Sequence, residues 1–188
     1  PGPGEGKTTT IVNLAITYAN LGKKTILIDT DLRKPVIHKI FKINKEPGVT
    51  HVLGPHQENY NEVINEIEIK NLSVVSSGLI PPNPSEILAS KNMEKLILDL
   101  KSKYDIILLD SPPMLAVTDS FVTLRYVDQF ILVVRASKTE KGALDRTLDQ
   151  INHLDSPFSG VVLNDVDESN TYGRGYYYSY YQYYYGDK

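Results

Sequence analysis

The chain has 188 residues, with 20 lysines and arginines against 23 aspartates and glutamates, so its formal net charge is −3. The absence of cysteine excludes a disulfide framework, a thiolate zinc site, an iron–sulfur cluster and a cysteine nucleophile. The near-neutral charge argues against nucleic-acid binding through a broadly basic surface. No apolar run approaches the ~18 residues that are needed to span a bilayer.

Short apolar strands alternate with amphipathic helices along the sequence. The spacing of apolar residues predicts a helix over residues 11–21 that ends at Gly22. Two further helices are predicted, from Pro84 to about Lys103 and over residues 144–154. Strands are predicted at residues 25–29, 72–76, 106–110, 130–134 and 160–163. This alternation predicts an α/β fold, with a doubly wound, mostly parallel sheet and helices on both faces.

The chain opens inside a glycine-rich loop, and residues 1–8 match the phosphate-binding pattern G-x-x-x-x-G-K-[ST] except that Pro1 stands at its first glycine. Lys7 offers a positive charge to the β- and γ-phosphates of a nucleotide, and Thr8 offers a hydroxyl to Mg²⁺. We therefore predict ATP and Mg²⁺ as ligands, with the binding residues Gly4, Glu5, Gly6, Lys7, Thr8 and Thr9. Since such a loop normally follows a buried strand, we expect the first strand of the sheet to be missing from this fragment.

Acidic residues follow two of the predicted strands. Asp29 and Asp31 come directly after one strand, and Asp110 ends another. Ligands of open parallel sheets bind beyond the carboxyl ends of the strands, so these carboxylates should meet the glycine-rich loop at one edge. Two of them suit Mg²⁺ beside substrate phosphates, and a remaining one can accept a proton from an attacking hydroxyl. A single aspartate after a strand would more simply be a turn residue, but three beside a Gly-Lys-Thr loop favour phosphoryl transfer.

The end of the chain is rich in tyrosine, which divides it into a domain over residues 1–164 and a flexible tail over residues 165–188. A nucleic-acid stacking surface would need interleaved basic residues, and Arg174 is the only one before Lys188. We therefore interpret the tail hydroxyls as phosphoryl acceptors. The candidate acceptors are Tyr172, Tyr176, Tyr177, Tyr178, Tyr180, Tyr181, Tyr183, Tyr184 and Tyr185.

Together these motifs resemble the bacterial tyrosine kinases of capsular and exopolysaccharide operons, whose P-loop fold is related to that of Min/Par-type ATPases. Besides the tyrosine tail, the matching segments are residues 4–8, 26–35, 81–86 and 106–113. The acidic motif Asp-x-Asp-x-Arg-Lys-Pro, combined with the tail, is much more specific than the loop alone. The resemblance covers essentially the whole chain.

The resemblance implies an ATP-dependent tyrosine kinase that phosphorylates its own tail, mainly between subunits, and regulates polysaccharide synthesis and export. The candidate catalytic residues are Lys7, Asp29 and Asp31, with Asp29 as the base. The candidate Mg²⁺ ligands are Thr8, Asp31 and Asp110. Asn164, after the last strand, matches a position that contacts adenine in related folds.

The resemblance also implies partners. They are the cytoplasmic segment of a membrane polysaccharide co-polymerase, which activates the kinase, and a cognate tyrosine phosphatase, which reverses the reaction. A homo-oligomeric ring is expected of the full-length protein. The expected location is the cytoplasmic face of the cell membrane, reached through the partner, and no nucleic acid is expected to bind.

Other functional classes fit the sequence less well. There is no G-x-S-x-G elbow and no eukaryotic kinase motif set, and the four histidines lack metal-like pairing. A Min/Par-type ATPase switch remains an alternative, although Gly2 stands where those ATPases carry a signature lysine. The second alternative is a non-catalytic, nucleotide-sensing scaffold, and the intact loop and acidic residues count against it.

Overall fold

The computed structural model describes residues 1–54, 59–154 and 158–166. In chain order the elements are α1 (Lys7–Asn20), β1 (Thr25–Asp29), α2 (Ile37–Phe41), α3 (Val49–Leu53), β2 (Ile64–Glu66), β3 (Leu72–Val75), α4 (Pro84–Leu88), α5 (Lys91–Lys101), β4 (Ile106–Asp110), α6 (Asp119–Thr123), β5 (Phe130–Arg135), α7 (Lys141–Asn152) and β6 (Phe158–Asn164). Short 3₁₀ turns occur at Tyr60–Glu62 and Leu124–Tyr126. None of the described helices is both long and apolar enough to cross a bilayer.

The strands form a four-stranded sheet in the order β2-β3-β1-β4 and a separate pair, β5-β6. β1 runs parallel to both β3 and β4, β5 runs parallel to β6, and β2 pairs antiparallel with β3. The predicted α/β fold with a mostly parallel sheet is therefore confirmed. β2 was not predicted, because Ile64 and Asn65 are only partly buried, Glu66 is exposed and the strand has no apolar run.

Helices cover both faces of β1, which explains why Ile26, Leu27 and Ile28 are all apolar between Thr25 and the final aspartate. Leu27 belongs to a core cluster with residues of α1, whereas Ile26 and Ile28 belong to the opposite cluster with residues of α5. Alternate side chains of a strand point to opposite faces, so a strand between two helical layers has no polar face. The contributing helix residues are Val12, Ala15 and Ala19 of α1, and Met93, Leu96, Ile97 and Leu100 of α5.

The predicted helix from Pro84 to about Lys103 is wrong as a single element. The structure ends α4 at Leu88 and begins α5 at Lys91. Ser90 lies between them, and its side chain accepts a hydrogen bond from the backbone N–H of Met93 at 3.4 Å, which starts a new helix. Serine is a strong helix N-cap, so the break has a local cause that the apolar spacing concealed.

A cleft of about 600 Å³ separates the two parts of the sheet. It lies between β4 and β5, which in the described part of the chain belong to different sheets, and α1 contributes Ile11 and Leu14 to its lining. The first four residues of β4 are consequently only half-buried, whereas every residue of β1 is buried. Among the residues that the structure describes, the two parts of the sheet thus face each other across an apolar gap, without main-chain hydrogen bonds between β4 and β5.

Candidate active site

The glycine-rich loop turns into the N-terminus of α1 through glycines with positive φ. Gly4 has φ +69° and Gly6, the residue before the helix, has φ +94°. Glycine adopts this region without the steric penalty of other residues, and the loop can then present backbone N–H groups to an anion. Lys7 begins α1, and its Nζ donates a hydrogen bond to the carbonyl oxygen of Gly2 at 2.5 Å, so the lysine lies over its own loop.

Two of the predicted aspartates end neighbouring parallel strands. Asp29 of β1 and Asp110 of β4 are register partners. Thr30 fixes this register, because its backbone N–H donates to the carbonyl oxygen of Asp110 at 2.9 Å. The hydroxyl of Thr8 donates to Oδ2 of Asp110 at 2.7 Å. The loop and both strand ends therefore lie at one edge of the sheet.

The Asp29 carboxylate is buried and incompletely hydrogen bonded. Its Oδ2 accepts a hydrogen bond from the backbone N–H of Ile37 at 3.2 Å, while its Oδ1 has no hydrogen-bond partner among the described residues. Burial, and next the charges of Asp110 and Asp31, raise the pKa of Asp29 to about 7. Desolvation disfavours the charged form of a carboxyl group, and like charges nearby act in the same direction. The Asp29 carboxyl group is thus buried, has a pKa near neutrality and keeps one oxygen without a hydrogen-bond partner among the described residues.

Asp110 and Lys7 are also shifted. Burial raises the pKa of Asp110 to about 6, although the hydrogen bond from Thr8 and the charge of Lys7 act against the increase. Burial lowers the pKa of Lys7, while the charges of Glu5, Asp110 and Asp31 oppose that decrease. These opposite charges crowd one small region, which suits a ligand that brings both phosphates and a cation.

Asp31 lies on the loop after β1, where its carboxylate is held by the backbone. Its Oδ1 accepts hydrogen bonds from the N–H groups of Arg33 at 3.2 Å and Lys34 at 3.0 Å. In the described part of the chain, no group of three His, Cys, Asp or Glu side chains could hold a metal ion. Mg²⁺ does not require one, since it commonly takes one or two carboxylates and completes its shell with water and substrate phosphates. The hard oxygen donors of Thr8, Asp31 and Asp110 fit such an ion.

The remaining predicted binding residues meet the loop in different ways. The Glu5 carboxylate is buried and accepts a hydrogen bond from the hydroxyl of Thr139 at 2.6 Å, so it faces the protein interior. The side-chain amide of Asn164, at the end of β6, donates to the carbonyl oxygen of Glu5 at 3.0 Å. Thr9 is exposed on α1. The nine candidate acceptor tyrosines lie outside the described residues.

Two basic residues at the loop were not predicted. Arg135, the last residue of β5, donates from Nη1 to the carbonyl oxygen of Gly4 at 3.3 Å. Lys138 donates to the same oxygen at 3.1 Å. The sequence signal for them is positional, because both lie at or just after the end of an apolar strand, at the carboxyl edge of a parallel sheet.

Gly6 has a close neighbour as well as a positive φ. A Cβ at this position would overlap Nδ2 of Asn164. We expect Gly6→Ala to lower the free energy of unfolding by about 1–3 kcal/mol and to weaken nucleotide binding by displacing the loop. Urea denaturation and titration with a fluorescent nucleotide check both effects.

Gly22→Ala is the matched control for this prediction. Gly22 also has positive φ, at +82°, but no atom lies within 4 Å of its hypothetical Cβ. The Gly22→Ala variant should therefore lose stability through backbone strain alone and bind the nucleotide as the wild type does. Equal nucleotide affinity in Gly6→Ala and Gly22→Ala would contradict the proposed role of the loop geometry.

Comparison with known proteins places these features in a family. A profile of the AAA domain family matches residues 2–159. The chain is 38% identical over 175 residues to the tyrosine-protein kinase YwqD of Bacillus subtilis, which covers 93% of this chain and 73% of YwqD. The chain belongs to the bacterial tyrosine kinases.

Other bacterial tyrosine kinases extend well beyond the matched region. The tyrosine-protein kinase ptk of Acinetobacter johnsonii is 36% identical over 170 residues, which cover 90% of this chain but only 23% of ptk. Among solved structures, the chimerical protein CapA2B2 superposes with a TM-score of 0.85 at 34% identity, covering 89% of this chain and 74% of the chimera. The P-loop fold of this kinase family is one that binds nucleotides.

Proposed function

We propose that this chain is an ATP-dependent protein-tyrosine kinase that phosphorylates tyrosines of its own C-terminal tail. The observation that carries the proposal is the buried Asp29 carboxylate, which has a free Oδ1 and is the register partner of Asp110, itself hydrogen bonded to Thr8 of the loop. This arrangement unites a phosphate-binding loop, oxygen donors for a metal and a proton acceptor at one edge. Those are the parts that phosphoryl transfer to a hydroxyl needs.

In the proposed reaction, the phenolic oxygen of a tail tyrosine forms a bond to the γ-phosphorus of ATP. The bond from that phosphorus to the β–γ bridging oxygen breaks, and ADP leaves with that oxygen. The phenolic proton passes to Oδ1 of Asp29, whose raised pKa lies close to working pH, as a general base requires. Lys7 supplies positive charge to the β- and γ-phosphates. Thr8, Asp31 and Asp110 would hold Mg²⁺, which would neutralise phosphate charge.

The start of the tail, which the structure describes at Asp165, supports the access of tail tyrosines to this site. Asp165 follows β6 directly, and its Oδ2 accepts a hydrogen bond from Nε of Arg135 at 2.7 Å. Because Arg135 also contacts Gly4, the chain leaves the sheet beside the phosphate-binding loop. Tyr172 follows Asp165 by 7 positions, and an extended chain of that length reaches about 25 Å. The first acceptor tyrosine is therefore within reach of the domain's own site or of a neighbour's.

The finer biological assignments also belong to this proposal. Transfer occurs mainly between subunits of a ring. The cytoplasmic segment of a membrane polysaccharide co-polymerase activates the kinase and holds it at the inner face of the membrane, and a cognate phosphatase removes the phosphates. Modification then controls polysaccharide synthesis and export. These assignments rest on family membership.

The test is to incubate the full-length protein with ATP and Mg²⁺ and to map phosphotyrosine by mass spectrometry. We expect label between Tyr172 and Tyr185, and no label when EDTA is present. Release of inorganic phosphate without phosphotyrosine would instead favour a Min/Par-type ATPase switch. Nucleotide binding without either product would favour the non-catalytic scaffold.

A further inference from the structure

Asp119, the first residue of α6, is a fully buried carboxylate that takes no part in the proposed chemistry. Both of its oxygens are occupied. Nε of Arg33 donates to Oδ2 at 2.8 Å, and Nη2 of Arg33 donates to Oδ1 at 3.1 Å, so the guanidinium binds in a bidentate way. The hydroxyl of Ser85, on α4, donates to Oδ1 as well.

The charge and burial of Asp119 are balanced by its contacts with Arg33 and Ser85. Burial alone would raise the pKa of Asp119, but the hydrogen bonds from Arg33 and Ser85 outweigh burial and lower the pKa. A buried carboxylate is tolerated only where such donors compensate the loss of water. The Arg33 side chain remains 43% exposed, so the ion pair lies at the domain surface with its guanidinium partly in solvent and its carboxylate buried.

Arg33 connects this buried anion to the loop after β1 that carries Asp31, which is called the acidic loop below. Its side chain binds Asp119, while its backbone N–H donates to Oδ1 of Asp31 at 3.2 Å. The backbone N–H of Lys34 holds the same oxygen of Asp31. A fork-to-fork ion pair fixes both the position and the direction of the arginine. The backbone that orients the Asp31 carboxylate is therefore tied to α6 and α4.

We infer that Asp119 is a positioning residue, which through Arg33 holds the Asp31 carboxylate in the orientation required to bind Mg²⁺ beside the nucleotide. The inference rests on the proposed function, because it assigns a cause to the geometry of that metal site. It also gives Ser85, in the Pro-Pro-Asn-Pro-Ser-Glu segment, a physical link to the site. The contrary view is that the cluster only joins α4, α6 and the acidic loop as part of the fold.

The experiment compares the affinity of the fluorescent nucleotide mant-ADP with and without Mg²⁺, using the full-length protein. This ratio reports the metal site and does not require catalysis. We expect Asp119→Asn to reduce the gain in affinity from Mg²⁺ by about 10-fold, since loss of a residue that orients a metal ligand costs 10–100-fold in metal affinity. Binding of mant-ADP in EDTA should stay within about 2-fold, and the metal dependence of phosphotyrosine formation should shift in parallel.

Milder variants keep the test decisive if Asp119→Asn folds poorly. Arg33→Lys retains the charge on an exposed side chain but loses the fork, and should show a smaller loss of the Mg²⁺ effect. Ser85→Ala removes one hydrogen-bond donor to Asp119 and should cause an even smaller loss of the Mg²⁺ effect. Asp128→Asn is the matched control, because Asp128 forms an exposed ion pair with Lys101 and should behave as wild type.

Three results separate the possibilities. A graded loss of the Mg²⁺ effect with intact binding in EDTA supports the positioning role. An unchanged Mg²⁺ effect in Arg33→Lys and Asp119→Asn, with activity falling only as thermal stability falls, overturns it. Absence of any Mg²⁺ effect in the wild-type protein overturns the proposed metal site itself, and the inference with it.

Discussion

Replacing Lys7 with alanine should abolish phosphotyrosine formation, with a decrease of at least about 100-fold in the rate. Lys7 begins α1 in the glycine-rich loop and lies close enough to Asp110 and Asp31 for their charges to affect its pKa. Its removal takes away a fixed positive charge where charge shifts from the γ- to the β-phosphate during transfer. Mass-spectrometric quantification of tail peptides under Mg²⁺ and ATP checks the decrease.

Lys138→Ala is the matched control for this experiment. Lys138 contacts the same loop through the carbonyl oxygen of Gly4, but it is exposed and follows β5 rather than the loop. We expect a change of less than about 3-fold, as for an exposed polar contact. Mixing tagged Lys7→Ala chains with active chains should restore label on the inactive chains if transfer occurs between subunits. Substantial label on Lys7→Ala alone would move the catalytic site elsewhere.

Asp29→Asn should retain nucleotide binding and lose phosphoryl transfer by about 100- to 10,000-fold. Asparagine keeps the size of the side chain and an oxygen for the N–H of Ile37, but it cannot accept the phenolic proton. Mant-ADP titration in EDTA and phosphotyrosine quantification separate the two effects. An equal loss of binding and transfer would argue against Asp29 as the base.

Protein stability provides an independent check on the burial of Asp29. Its pKa is raised from 3.8 to about 7 in the folded state, so the unfolded chain loses this proton first as pH rises. The free energy of unfolding of the ligand-free protein should therefore fall between about pH 4 and pH 7 and level off above that window. Stabilisation by the protonated group is complete below pH 4 and is lost as pH rises through 7.

Asp29→Asn should remove much of this pH dependence. The variant should resemble the wild type near pH 4.5 and exceed its stability by about 2–4 kcal/mol at pH 8. Asp110, whose pKa of about 6 is raised in the same direction, should leave a residual slope. Urea denaturation at the two pH values checks the difference. A wild-type stability that does not change between pH 4.5 and pH 8 would contradict the proposed burial of the charge.

The sequence predicted the layers of this fold well, because the buried strands have a strong and simple signal. β1 lies between helical layers and β4 pairs with it, so after Thr25 in β1, and from the first residue of β4, apolar residues continue until an aspartate ends each strand. Parallel strands that end in polar residues necessarily place those residues at one edge, so the proximity of Asp29 and Asp110 followed from topology alone.

The features that sequence reasoning missed depend on contacts between distant segments. Asp119 looks like an ordinary helix-start residue, and only the structure reveals that Arg33, 86 positions away, occupies both of its oxygens. Arg135 and Lys138 similarly look like surface cations after a strand. The break between α4 and α5 at Ser90 is hard to see in the sequence for another reason. Apolar residues occur at helical spacing on both sides of Ser90, so the pattern reads as one helix although Ser90 caps a new one.

The cleft between β4 and β5 leaves room for a further strand. Where these two edges lack a neighbouring strand in the described part of the chain, their N–H and C=O groups can pair with another polypeptide. Val161 and Leu163 add apolar surface on the nearby β5-β6 pair, with 47% and 57% of their areas exposed. A strand added in this cleft would therefore satisfy main-chain groups of β4 and β5 together and cover the apolar lining between them.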